Sequence, residues 1–297
     1  MHATGDMPEP ALRDIFREVF AACLPLELPV KVAYVGPEGG AGYVAARARF
    51  GAGSTLLAAE STAAALEEVS RSRAAFAVVP FETSIEGPVE QTVTAMAASD
   101  LRIAEMLDIT FDLHVLNRSG RAADVQRVYA TPADHAACER SLASQPTRPA
   151  IVEAKTPLAA CELAAADEQA GAIGSEVLGT QLGLEIAQRS IRDRRGDRVR
   201  YSVIGPRPSG RTGQDVTSLV FTVRDAAGSL LDVLRVLAER GINLTNIHSH
   251  PVRGETWSYL FYVELSGHFT DRPLVTAFEE MKRLTRSFKV LGSYPAP

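Results

Sequence analysis

The chain has 297 residues and a formal net charge of −5, with 46% hydrophobic and 23% charged residues. This length and composition predict a soluble globular protein of two domains. The lack of a long apolar run and of a basic-then-apolar leader argues against a membrane span and a signal peptide, so we expect a cytoplasmic protein. The net charge gives no support for a nucleic-acid partner. Three widely spaced cysteines (Cys23, Cys138 and Cys161) predict neither a disulfide framework nor a zinc site.

The first two hundred residues show alternating helix and strand patterns. The apolar spacing predicts an amphipathic helix at residues 11–24 and a buried strand at residues 28–36, and the next helix is predicted to begin near Tyr43. Further strand and helix patterns follow in the runs FAVVPFETS, PVEQTVTAMAAS, LRIAEMLDITFDLHVLN, VQRVYATPADHAACERSLA, RPAIVEAKTPLAACELAAA and AGAIGSEVLGTQLG.

This alternation predicts a parallel sheet, in which ligands bind at the carboxyl ends of the strands. The loops to consider are therefore residues 36–42, 82–87, 130–134, 153–156 and 196–202. Six arginines lie between residues 187 and 200. Either these arginines lie in a solvated loop and form surface ion pairs, or they attract a small anion whose carboxylate Arg200 binds through two hydrogen bonds.

A stretch rich in Gly, Pro and Arg follows, and we predict a linker at residues 207–215. Beyond it, strands are predicted at residues 217–223, 242–250, 257–265 and 287–292, with helices at residues 229–239 and 272–284. This βαββαβ order predicts a ferredoxin-like unit of about 80 residues. Gly241 is predicted to end the first of its helices.

Seven motifs occur in one order along residues 31–297: KVAYVGPEG, VVPFETSIEGPV, AIGSEVLGTQLGL, DRVRYSVIG, INLTNIHSHP, YLFYVELSGH and KVLGSYP. Their order resembles that of prephenate dehydratases with a C-terminal ACT domain. We therefore predict a dehydratase-like domain at residues 31–206 and an ACT domain at residues 216–297. The lead-in is similar to the junction in bifunctional chorismate mutase–prephenate dehydratases, so residues 1–30 are interpreted as a helical remnant too short for a mutase core.

The resemblance implies an α/β fold of two lobes, similar to a periplasmic binding protein, followed by a ferredoxin-like ACT domain. It also implies that prephenate loses carbon dioxide and hydroxide to give phenylpyruvate, a carbon–oxygen lyase reaction that needs no cofactor. The implied partners are a small carboxylic-acid substrate, an amino-acid effector at the ACT domain, and further copies of the chain in a homodimer or tetramer. Neither a nucleic acid nor a membrane is expected as a partner.

The chain departs from the family pattern at the predicted ligand end of several strands. Val199 stands where the family carries a threonine tied to catalysis, so the shape is kept and the hydroxyl is lost. Thr83 replaces an asparagine, Gly40 and Gly42 replace two hydroxyl residues, and Ala154 replaces a serine. Because the apolar framework is unchanged, these substitutions indicate altered chemistry rather than random decay.

The candidate catalytic residues are Arg200, Tyr201, Glu82, Thr83 and Ser84. Tyr201 shares a strand face with position 199, so it is either the relocated acid or a packing residue like the family's phenylalanine. Glu82 and Glu86 provide a general base or a pocket wall, or they cap a helix. The candidate substrate-binding residues are Glu38, Gly39, Gly40, Thr131 and Val199. The backbone amides of residues 36–42 form either an anion-binding site or only a tight turn.

The candidate effector-binding residues lie in the ACT-like part and are Gly228, Ser229, Leu230, Asn243, Leu244, His248 and Ser249. His248 and His250 share a strand face, but no third ligand is obvious, so a changed effector pocket is preferred over a metal site.

Two classes of function remain open. The first is a lyase that acts on prephenate or a related cyclic acid, either as an ordinary dehydratase with a relocated acid or with altered chemistry, such as decarboxylation without loss of hydroxide. We favour altered chemistry or substrate, in specialised metabolism, because so many strand-end residues differ. The second is a non-catalytic regulatory protein that binds a small acid. A third, weaker hypothesis is an assembly partner that docks a separate mutase through residues 11–24.

Overall fold

The computed structural model describes residues 15, 16, 19, 30–84, 87–144, 149–194, 198–251 and 259–296. Residues 15, 16 and 19 are helical, as predicted for residues 11–24. The remainder of that predicted helix, Cys23, Glu86 and residues 196 and 197 of a predicted site loop lie outside the described residues. No helix in the described part of the chain is long and apolar enough to cross a membrane.

Helices and strands alternate from residue 31 to residue 205. The first elements are β1 (Lys31–Val35), α1 (Ala41–Phe50), β2 (Thr55–Ala59), α2 (Thr62–Ser70), β3 (Phe76–Thr83), β4 (Gly87–Pro88) and α3 (Glu90–Ala98). The next are β5 (Arg102–Thr110), β6 (His114–Asn117), β7 (Arg127–Ala130), α4 (Pro132–Ala143), β8 (Ala150–Glu153), α5 (Pro157–Ala166), β9 (Ala170–Gly174), α6 (Glu176–Leu182), β10 (Glu185–Gln188) and β11 (Arg198–Gly205). Strands β2, β4 and β10 and helix α2 were not predicted.

The βαββαβ prediction for the C-terminal part is confirmed. Its elements are β12 (Asp215–Thr222), α7 (Ser229–Ala238), β13 (Leu244–Pro251), β14 (Tyr259–Ser266), α8 (Arg272–Leu284) and β15 (Ser287–Pro295). Gly241 has a φ of 64° and follows α7, as its predicted role requires. Leucine, valine and phenylalanine side chains of the strands pack against both helices and form one buried core.

The chain forms two compact units. The first contains the described residues of Met1–Ser61, Arg73–Ala75 and Thr110–Asp197. In this unit β1 pairs in parallel with β2, and five strands form a sheet in the order β10-β6-β9-β7-β8. Strand β6 is antiparallel to both β9 and β10. The prediction of a parallel sheet is therefore correct for β1 with β2 and for β7 with β8 and β9, but wrong for β6 and β10. The alternation of helices and strands does not fix the direction of every strand in a sheet.

The second unit contains Thr62–Ser72, Phe76–Ile109 and the described residues of Arg198–Pro297. Its strands follow the order β13-β14-β12-β15-β5-β11-β3, and β4 pairs with β3. The ferredoxin-like strands are thus continuous with strands from the preceding part of the chain. The two groups of strands are joined where Gly292 of β15 pairs with Ile103 of β5. A Cβ atom at Gly292 would collide with the backbone of Ile103.

Candidate active site

Strands β3 and β11 bring together residues that are far apart in sequence. They run antiparallel, with Val199 opposite Thr83 and Arg200 opposite Glu82. Residues directly opposite one another point to the same face of a sheet, with Cβ atoms about 4.5–5.5 Å apart. The Thr83 hydroxyl is therefore a direct neighbour of the Val199 side chain, and both residues are half-buried. Glu82 and Arg200 lie on the opposite face.

Ser84 closes the end of this strand pair. Its amide donates to the carbonyl of Arg198 at 2.9 Å, and its hydroxyl accepts from the amide of Arg198 at 3.1 Å. A cavity of about 320 Å³ lies here and is lined by Glu82, Thr83, Ser84, Gly87, Asp108, Arg198 and Arg200. Small-molecule sites have volumes of about 300–1,000 Å³. Four of the five predicted catalytic residues therefore line one cavity of suitable size, whereas Tyr201 and the predicted substrate-binding residue Val199 do not.

Arg200 forms ion pairs with three carboxylates of the protein. Its Nη1 lies 3.0 Å from Glu82 Oε2 and 3.7 Å from Glu264 Oε1, and its Nε lies 3.2 Å from Asp108 Oδ1. Burial lowers the pKa of Arg200, but Glu264, Glu82 and Asp108 outweigh burial and raise it above its ordinary value. Arg200 therefore remains charged, and its charge is already compensated by the protein.

Arg198 was not among the predicted site residues. It lines the same cavity two residues before Arg200, its side chain is exposed, and it forms no ion pair with any described residue. The sequence contained the signal in the cluster of arginines between residues 187 and 200, but only the ion pairs of Arg200 distinguish the two positions.

Tyr201 is buried away from this cavity. Only 5% of the residue is exposed, and it lies opposite Pro80 because the β3–β11 register is irregular between Arg200 and Tyr201. Burial raises the pKa of Tyr201 to about 12. A phenol with so high a pKa is a weaker proton donor than a solvated tyrosine. The adjacent Ser202 is fully buried, and its hydroxyl has no hydrogen-bond partner among the described residues.

We predict that Tyr201→Phe leaves turnover within about twofold of the unchanged protein, since phenylalanine keeps the buried ring and removes only the phenolic oxygen. The measurement is kcat with a cyclic carboxylic-acid substrate, with the melting temperature as the control for folding. A loss of tenfold or more in kcat without a change in melting temperature would assign the proton donor to Tyr201.

The loop after β1 shapes the N-terminus of α1. Gly39 has a φ of 84°, and a Cβ atom there would lie 2.8 Å from the amide of Leu158. Gly40 precedes α1 without a side-chain cap, and its own amide donates to Pro37 at 3.0 Å. The Glu38 side chain is exposed. The loop is thus a tight turn, and the amides at the start of α1 are the groups that remain to receive an anion.

At Gly42 there is no room for the hydroxyl side chain that the family carries at this position. A Cβ atom at Gly42 would overlap the carbonyl of Val35 at the end of β1. We predict that Gly42→Ser lowers the free energy of unfolding by about 1–3 kcal/mol, as overpacking does in other cores. Urea denaturation measures this loss. Gly210→Ser is the control, because Gly210 has no atom within 4 Å of its added Cβ; equal stability of the two variants would contradict the prediction.

Thr131 caps helix α4. Its hydroxyl accepts from the amide of Asp134 at 3.1 Å and donates to the Asp134 carboxylate at 2.7 Å. A second cluster in this unit contains Asp112, His114 and Ser190, none of which is among the predicted site residues. The Ser190 hydroxyl donates to Asp112 at 2.5 Å, and the Ser190 amide donates to Nδ1 of His114 at 3.0 Å. Burial lowers the pKa of His114, so the imidazole is neutral and accepts this bond.

The predicted effector-binding residues occupy two elements of the ferredoxin-like segment. Gly228 (φ 86°) is the N-cap of α7, which begins with Ser229 and Leu230. Asn243 immediately precedes β13, which begins with Leu244, and Leu230 and Leu244 pack against the same core. His248 and Ser249 lie further along β13, with the His248 ring 3.1 Å from a Cβ atom built on Gly87. Among the described residues no group of three or more ligands for a metal ion occurs.

The fold and the site define an α/β protein in which hydroxyl and charged groups gather at strand ends beside a ferredoxin-like segment. The prephenate dehydratase family profile matches residues 32–209, and the ACT domain profile matches residues 217–282. The chain belongs to the prephenate dehydratase family and carries a C-terminal ACT domain. The predicted family and fold class are therefore confirmed.

Individual relatives agree with this assignment. The chain is 38% identical over 291 residues to a bifunctional chorismate mutase/prephenate dehydratase of Aquifex aeolicus. The alignment covers 98% of this chain and 80% of the Aquifex protein. The chain is 36% identical over 281 residues to a prephenate dehydratase of Mycolicibacterium gilvum, covering 89% of this chain and 90% of that one. The crystal structure of an Arthrobacter aurescens prephenate dehydratase in complex with L-Phe aligns with a TM-score of 0.72 and 26% identity over 90% of each chain.

Proposed function

We propose that the protein converts prephenate to phenylpyruvate and that the Thr83 hydroxyl takes the place of the one missing at Val199. The observation that carries the proposal is the cross-strand pair of Thr83 with Val199. A hydroxyl on Thr83 faces nearly the same space as one on residue 199, because directly opposite side chains share a sheet face. The 36% identity to the Mycolicibacterium gilvum prephenate dehydratase supports the same reaction.

The reaction has two bond cleavages and one departing group that needs a proton. The bond between the ring and its carboxylate breaks, and its electron pair enters the ring as carbon dioxide leaves. The bond to the ring hydroxyl breaks at the opposite ring carbon, and hydroxide departs. A hydrogen bond from Thr83 stabilises the negative charge that develops on this oxygen, and solvent water then supplies the proton. No electron donor or acceptor is needed, because aromatisation drives the step.

We assign the binding of a substrate carboxylate to Arg198. A guanidinium binds a carboxylate through two parallel hydrogen bonds, provided that no other carboxylate occupies it. Arg198 lines the 320 Å³ cavity without an ion pair among the described residues, whereas Arg200 is bound to three carboxylates.

We further propose that the ACT domain binds an amino acid and that copies of the chain pair through it. The L-Phe complex of the Arthrobacter aurescens protein supports an amino-acid effector. The residues proposed to contact it are those at the start of α7 and along β13. Exposed Leu231 and Ile247 provide apolar surface on the same two elements for a second copy.

The test is to incubate the purified protein with prephenate and to identify the product by ultraviolet spectrum and mass. Phenylpyruvate formed faster than in the enzyme-free control supports the proposal. A decarboxylated product that keeps its ring oxygen would show altered chemistry. Binding of prephenate without any product would favour a regulatory protein. Either of these last two results overturns the proposal.

A further inference from the structure

We infer that Glu264, on strand β14 of the ferredoxin-like segment, is a positioning residue for the active site. Glu264 holds Arg200, and through Arg200 it orients Glu82 and the adjoining Thr83. The inference rests on the proposed function, since Thr83 is the proposed hydrogen-bond donor.

The Glu264 carboxylate has a fixed position. Its side chain is 8% exposed, and its Oε1 accepts hydrogen bonds from the hydroxyls of Tyr262 at 2.6 Å and Tyr294 at 3.2 Å. Burial raises the pKa of both tyrosines, so both phenols stay protonated and donate. A buried carboxylate held by two donors is a rigid anchor for a cation.

Arg200 transmits this position to β3. The same nitrogen, Nη1, faces Glu264 Oε1 at 3.7 Å and Glu82 Oε2 at 3.0 Å. The other oxygen of Glu82, Oε1, accepts a hydrogen bond from Asn246 of β13 at 3.4 Å. Both oxygens of Glu82 are therefore held from the ferredoxin-like strands, one directly by Asn246 and one by Glu264 acting through Arg200.

A ring contact strengthens the link between β14 and β3. The rings of Tyr262 and Phe81 have centroids 5.3 Å apart. Tyr262 also binds Glu264, and Phe81 immediately precedes Glu82. Strand β14 thus packs directly against Phe81 of β3 and is linked by charge to Glu82 through Arg200 of β11. Thr83 follows directly, so its orientation depends on both contacts.

The variant Glu264→Gln removes the negative charge of the side chain and keeps its shape. Glutamine has almost the same volume, and its carbonyl still accepts from both tyrosines, but it attracts Arg200 less strongly. We expect kcat for prephenate to fall about tenfold, with KM changed less than twofold, since Thr83 acts on the leaving group and Arg198 on the carboxylate. Asn246→Ala, which releases the other oxygen of Glu82, is expected to lower kcat in the same way. The control is Glu279→Gln on the exposed side of α8.

Hydrogen exchange of the segment 76–84 is measured in parallel, because it does not depend on turnover. Faster exchange of this segment in Glu264→Gln than in the control, at unchanged melting temperature, supports the inference. Unchanged exchange overturns it, whatever the activity. If the unaltered protein does not convert prephenate and the exchange still rises, the proposed reaction fails while the positioning role stands. A lower melting temperature with unchanged kcat would show a structural role only and would also overturn the inference.

Discussion

Thr83→Val is expected to lower kcat for phenylpyruvate formation by about 100-fold, because removal of one hydrogen-bond donor to a developing negative charge costs about 10²–10³-fold in kcat. Valine keeps the branched shape that suits the end of β3 and removes only the hydroxyl. Since Val199 lies opposite, the variant leaves two apolar side chains at the place that we propose for the departing hydroxide. KM is expected to change little, because Thr83 is not assigned to the substrate carboxylates.

Steady-state kinetics with prephenate measure this effect. The matched control is Thr276→Val on the exposed side of α8, where the hydroxyl donates to the backbone carbonyl of Arg272 at 3.0 Å. We expect the control to retain the full kcat. A Thr83→Val protein with unchanged kcat would remove Thr83 from the reaction and leave the departing hydroxide to another donor.

Arg198→Met is expected to raise KM for prephenate by about 10–100-fold, the loss that corresponds to a hydrogen-bonded charged contact of about 1.5–3 kcal/mol. Methionine keeps part of the apolar stem and removes the guanidinium. The residue is exposed, and no described residue loses an ion pair, so stability should stay within about 0.5 kcal/mol of the unaltered protein.

The measurement is KM at low and high salt for Arg198→Met and for Arg283→Met, an exposed arginine near the end of α8 that serves as the control. The salt dependence of KM should weaken in Arg198→Met alone, since an exposed charge that attracts an anion is screened by salt. If KM is unaffected, Arg198 is a surface residue, and the carboxylate is bound elsewhere.

The order of elements was predictable because their periodicities are local. Turn residues and apolar alternation gave the ferredoxin-like segment to within a few residues, from β12 to β15. Strand direction was not predictable, since β6 and β11 have the same apolar patterns whether they run parallel or antiparallel. The pairing of β15 with β5 was also not predicted from the sequence. It depends on a close approach at Gly292 that no local pattern encodes.

The site was predictable as a list of residues but not as an arrangement. Glu82, Thr83, Ser84 and Arg200 do line one cavity. What the sequence could not supply was the pairing of Thr83 with Val199, because register between distant strands is set by tertiary packing. Glu264 carried a weak signal, a charged residue inside the apolar run FYVEL. Its role as an anchor for Arg200 is visible only when β14 and β11 are seen in three dimensions.

The most direct test moves the hydroxyl from residue 83 on β3 to residue 199 on β11. The rate of phenylpyruvate formation is measured for Thr83→Val and for the double variant Thr83→Val/Val199→Thr. We predict that the double variant forms phenylpyruvate at least tenfold faster than the single variant, because one hydroxyl has been returned to the same face. A double variant as slow as Thr83→Val, at equal melting temperature, would contradict the exchange of roles between these two positions.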